Sequence, residues 1–149
     1  MELTEIAKSK INLSLNLNGI KNDGYHDLIS FICFGSFSDQ LRLKPSKSFS
    51  YEINSSMKDI TFKDDLVLKV IHKIKKTYDL EDLPKIDLIL EKNIPLGSGL
   101  GGGSADAAAT IRLMNKFLDL GMNQDEMCSF GVDLGTDIPA CIISKPLVA

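Results

Sequence analysis

The sequence predicts a single domain of the α+β class, in which strands and helices occur together without regular alternation. Three observations support this prediction. The first half of the chain is patterned mostly as strands, three segments from residue 65 onward have helical patterns, and a length of 149 residues suits one domain with its own core. No internal repeat, linker or low-complexity tract divides the chain.

The strands of the first half are predicted from alternating side chains and from β-branched or aromatic residues. Over residues 10–18, apolar residues occupy every second position and so share one face of a strand. The Asn22-Asp23-Gly24 run favours the backbone angles of a turn. The predicted elements are strands over residues 10–18, 25–37, 39–44 and 49–53, a turn over residues 19–24, and a second turn at Pro45-Ser46.

A helix is predicted over residues 65–78, because apolar residues recur every four positions from Leu66 to Tyr78 and form one face. Asp64 or Asp65 suits the N-terminus of this helix, where the helix dipole favours negative charge.

The remaining elements follow in order. Residues 86–90 are predicted as a short buried strand, and residues 104–118 as a helix whose opening turns are rich in alanine. Residues 123–130 are predicted as a third helix, capped by Asn123. Residues 138–143 are predicted as a final strand.

The composition argues against several classes of function. With 17 basic and 20 acidic residues, the net charge of −3 gives no overall field that attracts nucleic acid. Cys33, Cys128 and Cys141 show no Cys-x-x-Cys spacing, which argues against a disulfide framework or a zinc site and fits a reducing cytoplasm. The N-terminal segment lacks the apolar core of a signal peptide, and no apolar run is long enough to cross a membrane.

The most informative segment is the glycine-rich stretch PLGSGLGGGSADAAA at residues 95–109. Five of its glycines fall within seven residues, between a predicted strand and a predicted helix, and glycine allows backbone angles with positive φ. Successive amides can then face one concavity, to which the start of the following helix adds unpaired amides and a positive dipole. The segment therefore predicts an anion site suited to a triphosphate, and its position between two elements argues against a flexible linker.

This stretch resembles the second signature of the GHMP kinases, a family that includes galactokinase, homoserine kinase and mevalonate kinase. Two further segments agree with the family in order and spacing: SKINL at residues 9–13 followed by DGYH at residues 23–26, and LGTDIP at residues 134–139. The additional glycines of GLGGGSADAA resemble one branch, whose members phosphorylate a cytidine diphosphate-linked methylerythritol in the non-mevalonate isoprenoid pathway. The resemblance runs from Ala7 to the end of the chain.

The resemblance implies a small-molecule kinase with a defined set of substrate contacts. Asp137 would be the catalytic base that takes the proton of the substrate's tertiary hydroxyl, and Lys10 would lie beside it and favour its ionised form. Asn12 would contact the substrate near the reacting hydroxyl. Tyr25 and His26 would hold the cytosine, one by stacking and the other by hydrogen bonding.

The same resemblance implies that ATP and Mg²⁺ bind at the glycine-rich loop. Asp65 and Lys92 would lie near the adenine. The Ser104 hydroxyl has three open roles, since it can cap the helix, contact a phosphate or ligate Mg²⁺. The loop residues expected to contact the nucleotide are Pro95, Gly97, Gly99, Leu100, Gly101, Gly102, Gly103 and Ser104.

The fold implied by the resemblance is the α+β N-terminal domain of GHMP kinases, which is like domain 2 of ribosomal protein S5. This fold contains an uncommon left-handed βαβ crossover. Residues 1–149 would form the ATP-binding domain, and a C-terminal domain with a third glycine-rich signature and part of the substrate pocket would lie outside this chain. We therefore expect this 149-residue chain alone to phosphorylate weakly or not at all.

Three other functions stay open at this point. A GHMP kinase for a different acceptor would have no use for the DGYH segment as a cytosine site. A non-catalytic nucleotide-binding module would need neither Lys10 nor Asp137. An RNA-binding domain of the ribosomal type is disfavoured by the net charge of −3 and by the lack of a basic and aromatic surface pattern.

Overall fold

The structure, a computed structural model, describes residues 1–20, 26–57 and 64–148. Within these ranges five strands form one mixed sheet, and four helices accompany it. The predicted α+β class is therefore confirmed. The strands are β1 (Leu3–Ile20), β2 (His26–Pro45), β3 (Ser50–Ser55), β4 (Ile86–Lys92) and β5 (Leu147–Val148), and the helices are α1 (Leu66–Thr77), α2 (Gly102–Phe117), α3 (Gln124–Val132) and α4 (Ile138–Ile143).

The sheet has the strand order β1-β2-β4-β3, with β5 paired to β2. All the pairs are antiparallel except β3 with β4, which run parallel. Because α1 connects these two parallel neighbours, β3, α1 and β4 form a βαβ crossover unit. The left-handed sense of this crossover stays a prediction.

The core lies between the sheet and the two longest helices. Along β4 every second residue is buried, and Leu88 in the centre is fully enclosed. The small side chains of Ala107 and Ala108 on α2 are also fully buried, which lets this helix pack close to β1 and β2. Within the described ranges no helix combines the length and the apolar character that a membrane crossing requires.

Two predicted helix starts are confirmed by their caps. Asp65 precedes α1, and its carboxylate accepts hydrogen bonds from the amides of Val67 and Leu68. Asn123 and Glu126 form a capping box at the start of α3, in which each side chain accepts from the other residue's amide.

A β-bulge interrupts the pairing of β1 with β2 next to Lys10. Lys8 is paired with Ser38, whereas Lys10 is paired with Phe34, so the longer segment is on β2. Gly35 is required in this segment, since a Cβ there would lie 2.6 Å from Ser9 Oγ. The irregularity turns two consecutive residues, Ser9 and Lys10, toward the interior, which strict alternation would not allow.

Residues 25–37 and 39–44 were predicted as separate strands, and the described part of this region is instead one strand, β2. The bulge explains the difference. It absorbs the break in side-chain alternation near Gly35 within a continuous strand, so no turn is needed.

The prediction of a strand over residues 138–143 is wrong, because these residues form α4. Ile138, Cys141 and Ile142 are buried together, and this spacing of three and four residues is helical. Pro139 lies in the first turn of α4, where a missing amide hydrogen removes no helical bond. The strand at this end of the chain is β5.

We predict that Leu88→Ala lowers the free energy of unfolding by about 2–5 kcal/mol, because it leaves a cavity at a fully buried position. Ile89→Ala is the matched control, since Ile89 is the next residue of β4 and lies half-buried on the opposite face. Chemical denaturation of both variants measures the difference. An equal loss in the two would contradict the assignment of the core to the helix-covered face.

Candidate functional site

The glycine-rich loop joins the end of β4 to the start of α2. Gly97, Gly99 and Gly101 have φ angles of +70°, +76° and +65°, which glycine adopts without the steric penalty of a side chain. The positions where Gly97 and Gly99 would carry a Cβ face open space. The loop thus curves around a cleft of about 280 Å³, which residues 95–104 line together with Leu66 and Lys92.

The helix after the loop begins with its amides uncapped. Gly101 is the N-cap of α2 and offers no side-chain acceptor to the first amides of the helix. An anion in the cleft would meet these amides and the positive end of the helix dipole. The residues present therefore fit a triphosphate.

Ser104 lies inside the first turn of α2, so the possibility that its side chain caps this helix is wrong. The helix starts at Gly102, earlier than the sequence predicted, directly after Gly101 with its left-handed backbone. A Cβ on Gly135 would be 4.0 Å from Ser104 Oγ, so the hydroxyl faces the segment that leads into α4.

Lys10 packs directly on the glycine-rich loop. Its amide donates to the carbonyl of Leu100 at 2.7 Å. A Cβ on Gly101 would lie 3.1 Å from Lys10 Cβ and 3.2 Å from Lys10 Cε, so a larger residue here would press on the lysine stem. Strand β1 and the loop are thus fixed against each other at Lys10.

The Lys10 side chain ends at Asp137. Lys10 Nζ lies 3.0 Å from Asp137 Oδ1, and the lysine side chain is 5% exposed while that of Asp137 is 50% exposed. Asp137 precedes α4 and makes no side-chain cap to it, so its carboxylate is available on the solvent side. The fold therefore brings together two residues that are almost at opposite ends of the chain.

Asn12 lies next to this pair. Its Oδ1 accepts from Lys10 Nζ at 3.5 Å and from Ser30 Oγ at 3.1 Å. These contacts hold the amide group beside the lysine. Tyr25 lies outside the described residues, and His26 is described as the first residue of β2, with its backbone opposite Ile20.

Lys92 is part of a buried ion-pair cluster below the loop. Its Nζ donates to Asp39 Oδ2 and, at 2.7 Å, to Asp106 Oδ2. The other oxygen of Asp39 accepts from the amides of Asn93 and Ile94, which lead from β4 into the loop. The cluster therefore ties β2, β4 and α2 together under the glycines.

The cluster packs tightly against the glycine-rich loop, and its lysine is charged. A Cβ on Gly102 would lie 2.9 Å from Lys92 Nζ. Burial by itself would lower the pKa of Lys92, but Asp106 and Asp39 outweigh this effect and raise the pKa, so the lysine stays cationic. Burial raises the pKa of Asp106 well above its usual value despite the contact with Lys92, and Asp106 Oδ1 has no hydrogen-bond partner.

A second cavity of about 120 Å³ adjoins the cleft at the start of α1, with Asp65, Leu66 and Asp106 among its lining residues. The Asp65 carboxylate at its edge already accepts the cap bonds of α1. Asp65 and Lys92 are the two residues expected near adenine. Asp65 lines this cavity and Lys92 lines the cleft, and both side chains already have partners within the protein.

The part of the chain that the structure describes shows no second site among its other reactive groups. Among the described residues no three His, Cys, Asp or Glu side chains form a set of metal ligands. The cysteines at 33, 128 and 141 are free thiols. Burial raises the pKa of Cys141 to about 12, which keeps its thiol protonated near neutral pH.

Sequence reasoning did not find Asp39 and Asp106, which determine how Lys92 is held. One signal was present for Asp106, because it is a single charged residue among the alanines of the predicted helix. A charge on an otherwise apolar helix surface requires a buried partner. The partner of Asp39 was not visible in the sequence, since only strand pairing brings it to Lys92.

Comparison with known proteins shows the family of this chain. Residues 65–145, more than half of the chain, match the family described as GHMP kinases N terminal domain. The chain therefore belongs to the GHMP kinase family, as the three sequence motifs indicated.

Within this family the chain is similar to 4-diphosphocytidyl-2-C-methyl-D-erythritol kinases. It is 39% identical to that of Prochlorococcus marinus (strain NATL1A) over 91% of this chain and 43% of the relative. It is 32% identical to that of Chelativorans sp. (strain BNC1) over 100% of this chain and 51% of the relative. The chain thus spans about half the length of these curated relatives.

The fold is also found in a solved structure. A crystal structure described as 4-(cytidine 5'-diphospho)-2C-methyl-D-erythritol kinase superposes with a TM-score of 0.79 and 24% sequence identity. The match covers 99% of this chain and 51% of that chain. The predicted GHMP fold is therefore confirmed.

We predict that Lys92→Met lowers the free energy of unfolding by about 3–5 kcal/mol, because it leaves two buried carboxylates without their cation. Lys69→Met is the control, since the ion pair of Lys69 with Asp64 is exposed and contributes about 1 kcal/mol or less. Denaturant unfolding at neutral pH compares the two. A loss for Lys92→Met no larger than that for Lys69→Met would contradict the structural role of the cluster.

Proposed function

We propose that the protein transfers the γ-phosphate of ATP to the 2-hydroxyl of 4-diphosphocytidyl-2-C-methyl-D-erythritol, and that this chain supplies the N-terminal, ATP-binding domain. The observation that carries the proposal is the 3.0 Å contact between Lys10 Nζ and Asp137 Oδ1, directly beside the glycine-rich loop. Family membership and the similarity to kinases of this name support it.

Asp137 has the position of a general base. Its carboxylate is half exposed and carries no capping bond, so a bound alcohol can approach it. Asp137 accepts the hydroxyl proton as the hydroxyl oxygen bonds to phosphorus and the bond from phosphorus to the ADP oxygen breaks. Lys10 offsets the charge of the carboxylate and of the reacting oxygens.

The chain's own residues hold the nucleotide mainly through the backbone. The amides at the start of α2 would hold phosphate oxygens, and the Ser104 hydroxyl would contact a phosphate or Mg²⁺. When bound, ATP supplies the phosphoryl group and Mg²⁺ neutralises part of its charge. The cavity beside Asp65 and Leu66 receives the adenine.

Substrate selection is assigned to Asn12 on β1 and to Tyr25 and His26 of the DGYH segment. Asn12, held beside Lys10 by Ser30, contacts the substrate near the reacting hydroxyl. Tyr25 and His26 hold the cytosine, as the DGYH segment suggests. This chain spans about half the length of its curated relatives, and a further domain completes the substrate pocket.

We predict that Asp137→Asn in the full-length protein lowers kcat by about 10²- to 10⁴-fold, the range for loss of a general base. Lys10→Met is expected to lower kcat as well, because the developing charge loses its cation. Both variants should still bind ATP. The measurement is ADP release with 4-diphosphocytidyl-2-C-methyl-D-erythritol as acceptor.

Asp133→Asn is the control for these variants, since Asp133 is an exposed carboxylate in the same segment, paired with Lys73. It should keep the activity of the wild type. If Asp137→Asn keeps the turnover of the wild type, Asp137 is not the base. An inactive wild type that binds ATP would direct the search to other alcohol acceptors of the GHMP kinases.

We predict that Gly101→Ala lowers activity by displacing Lys10. An added methyl group would press on the lysine stem at 3.1 Å, and the positive φ is unfavourable for alanine. Gly121→Ala is the matched control, because Gly121 has a φ of +69° with no atom within 4 Å of the added Cβ. Both variants should lose about 1–2 kcal/mol of stability from backbone strain, and only Gly101→Ala should lose turnover. Equal activities would show that the loop does not position Lys10.

A further inference from the structure

Arg112 joins the two elements that carry Lys10 and Asp137. It lies on α2, with its side chain 17% exposed, and its guanidinium makes three contacts. Nε donates to Glu5 Oε2 at 2.9 Å, and one terminal nitrogen donates to the carbonyl of Ile6 at 3.0 Å. The other terminal nitrogen donates to the carbonyl of Cys141 at 3.1 Å.

Through these contacts Arg112 is connected to both Lys10 and Asp137. Glu5 and Ile6 precede Lys10 on β1, so the guanidinium fixes the strand from which the lysine projects. Cys141 lies one turn into α4, and its amide donates to the carbonyl of Asp137 at 3.2 Å. One hydrogen-bonded chain therefore leads from Arg112 through Cys141 to Asp137.

The Glu5 carboxylate keeps the guanidinium in place. Burial by itself raises the pKa of Glu5, but hydrogen bonds from Lys116 and Arg112 outweigh it and leave the pKa below its usual value. Glu5 is therefore ionised at neutral pH. A guanidinium presents five donors in a planar fork, whereas a lysine at this position could not reach the carboxylate and both carbonyls together.

We propose that Arg112 is a positioning residue that sets the distance between Lys10 and Asp137. The inference rests on the proposed function of that pair. Arg112 donates to neither side chain, so it acts through β1 and α4 alone. Because phosphoryl transfer depends on positioning, a displacement of about 1 Å between the reacting groups is expected to lower turnover by about 10²-fold.

The test compares Arg112→Met with Lys116→Met in the full-length protein. Lys116 is 60% exposed and binds the same carboxylate, but it has no bond to α4, so it controls for the loss of charge near Glu5. We expect Arg112→Met to lower kcat by about tenfold or more while KM for ATP changes by less than about twofold. Lys116→Met should behave as the wild type.

Arg112→Lys separates positioning from folding. It keeps a cation for Glu5 and should fold, but it cannot maintain the bonds to both carbonyls, so its kcat should also fall. Wild-type kcat in Arg112→Lys, or an equal loss in Lys116→Met, would overturn the proposal.

Crystal structures of the wild type and of Arg112→Lys give a readout that does not depend on the substrate. We expect the distance between Lys10 Nζ and Asp137 Oδ1 to increase from 3.0 Å to beyond the ion-pair limit of about 4 Å. An unchanged distance would contradict the role of Arg112. If the wild type is inactive and Arg112→Lys still shows the longer distance, the proposed acceptor is refuted and the positioning role stands.

Discussion

The site depends on keeping the charge of Lys10 almost wholly out of water. A buried ammonium group is unfavourable unless an anion or hydrogen-bond acceptors compensate it. Lys10 meets this requirement with Asp137 and Asn12. Because Asp137 comes from a distant part of the chain, the ion pair forms only when β1, the glycine-rich loop and α4 are all in place.

Other features of the fold follow from this requirement. The bulge at Gly35 turns Lys10 inward, and the absence of a side chain at Gly101 leaves space for its stem. The amide of Lys10 is bound to the loop through Leu100, which holds the strand and the glycine-rich loop together. The glycines thus serve two purposes, since they shape the cleft and admit the lysine.

A second buried lysine supports the loop from below. Lys92 joins Asp39 and Asp106, and all three side chains are nearly inaccessible to water. The cluster fixes the end of β4 and the start of α2, which are the two ends of the loop. The loop has positive φ at three glycines, and no atoms lie within 4 Å of a Cβ built on Gly97 or Gly99, so its shape depends on how firmly these ends are held.

Much of this arrangement was predictable because it rests on local pattern. The caps at Asp65 and Asn123, the apolar face of α1 and the glycine-rich loop were all found from neighbouring residues. The α4 helix was predicted as a strand, because six residues are too few to separate a helical from an alternating pattern. The bulge at Gly35 and the partners of Lys92 depend on strand pairing, which the local sequence does not contain. The pairing of Lys10 with Asp137 was expected from the family resemblance, and the 3.0 Å contact agrees with that expectation.

The most direct measurement is a crystal structure of the full-length protein with a non-hydrolysable ATP analogue and 4-diphosphocytidyl-2-C-methyl-D-erythritol. We expect phosphate oxygens on the first amides of α2 and the 2-hydroxyl oxygen within about 3 Å of an Asp137 carboxylate oxygen, next to Lys10 Nζ. A complex with both ligands bound and the 2-hydroxyl beyond hydrogen-bonding reach of Asp137 would contradict it.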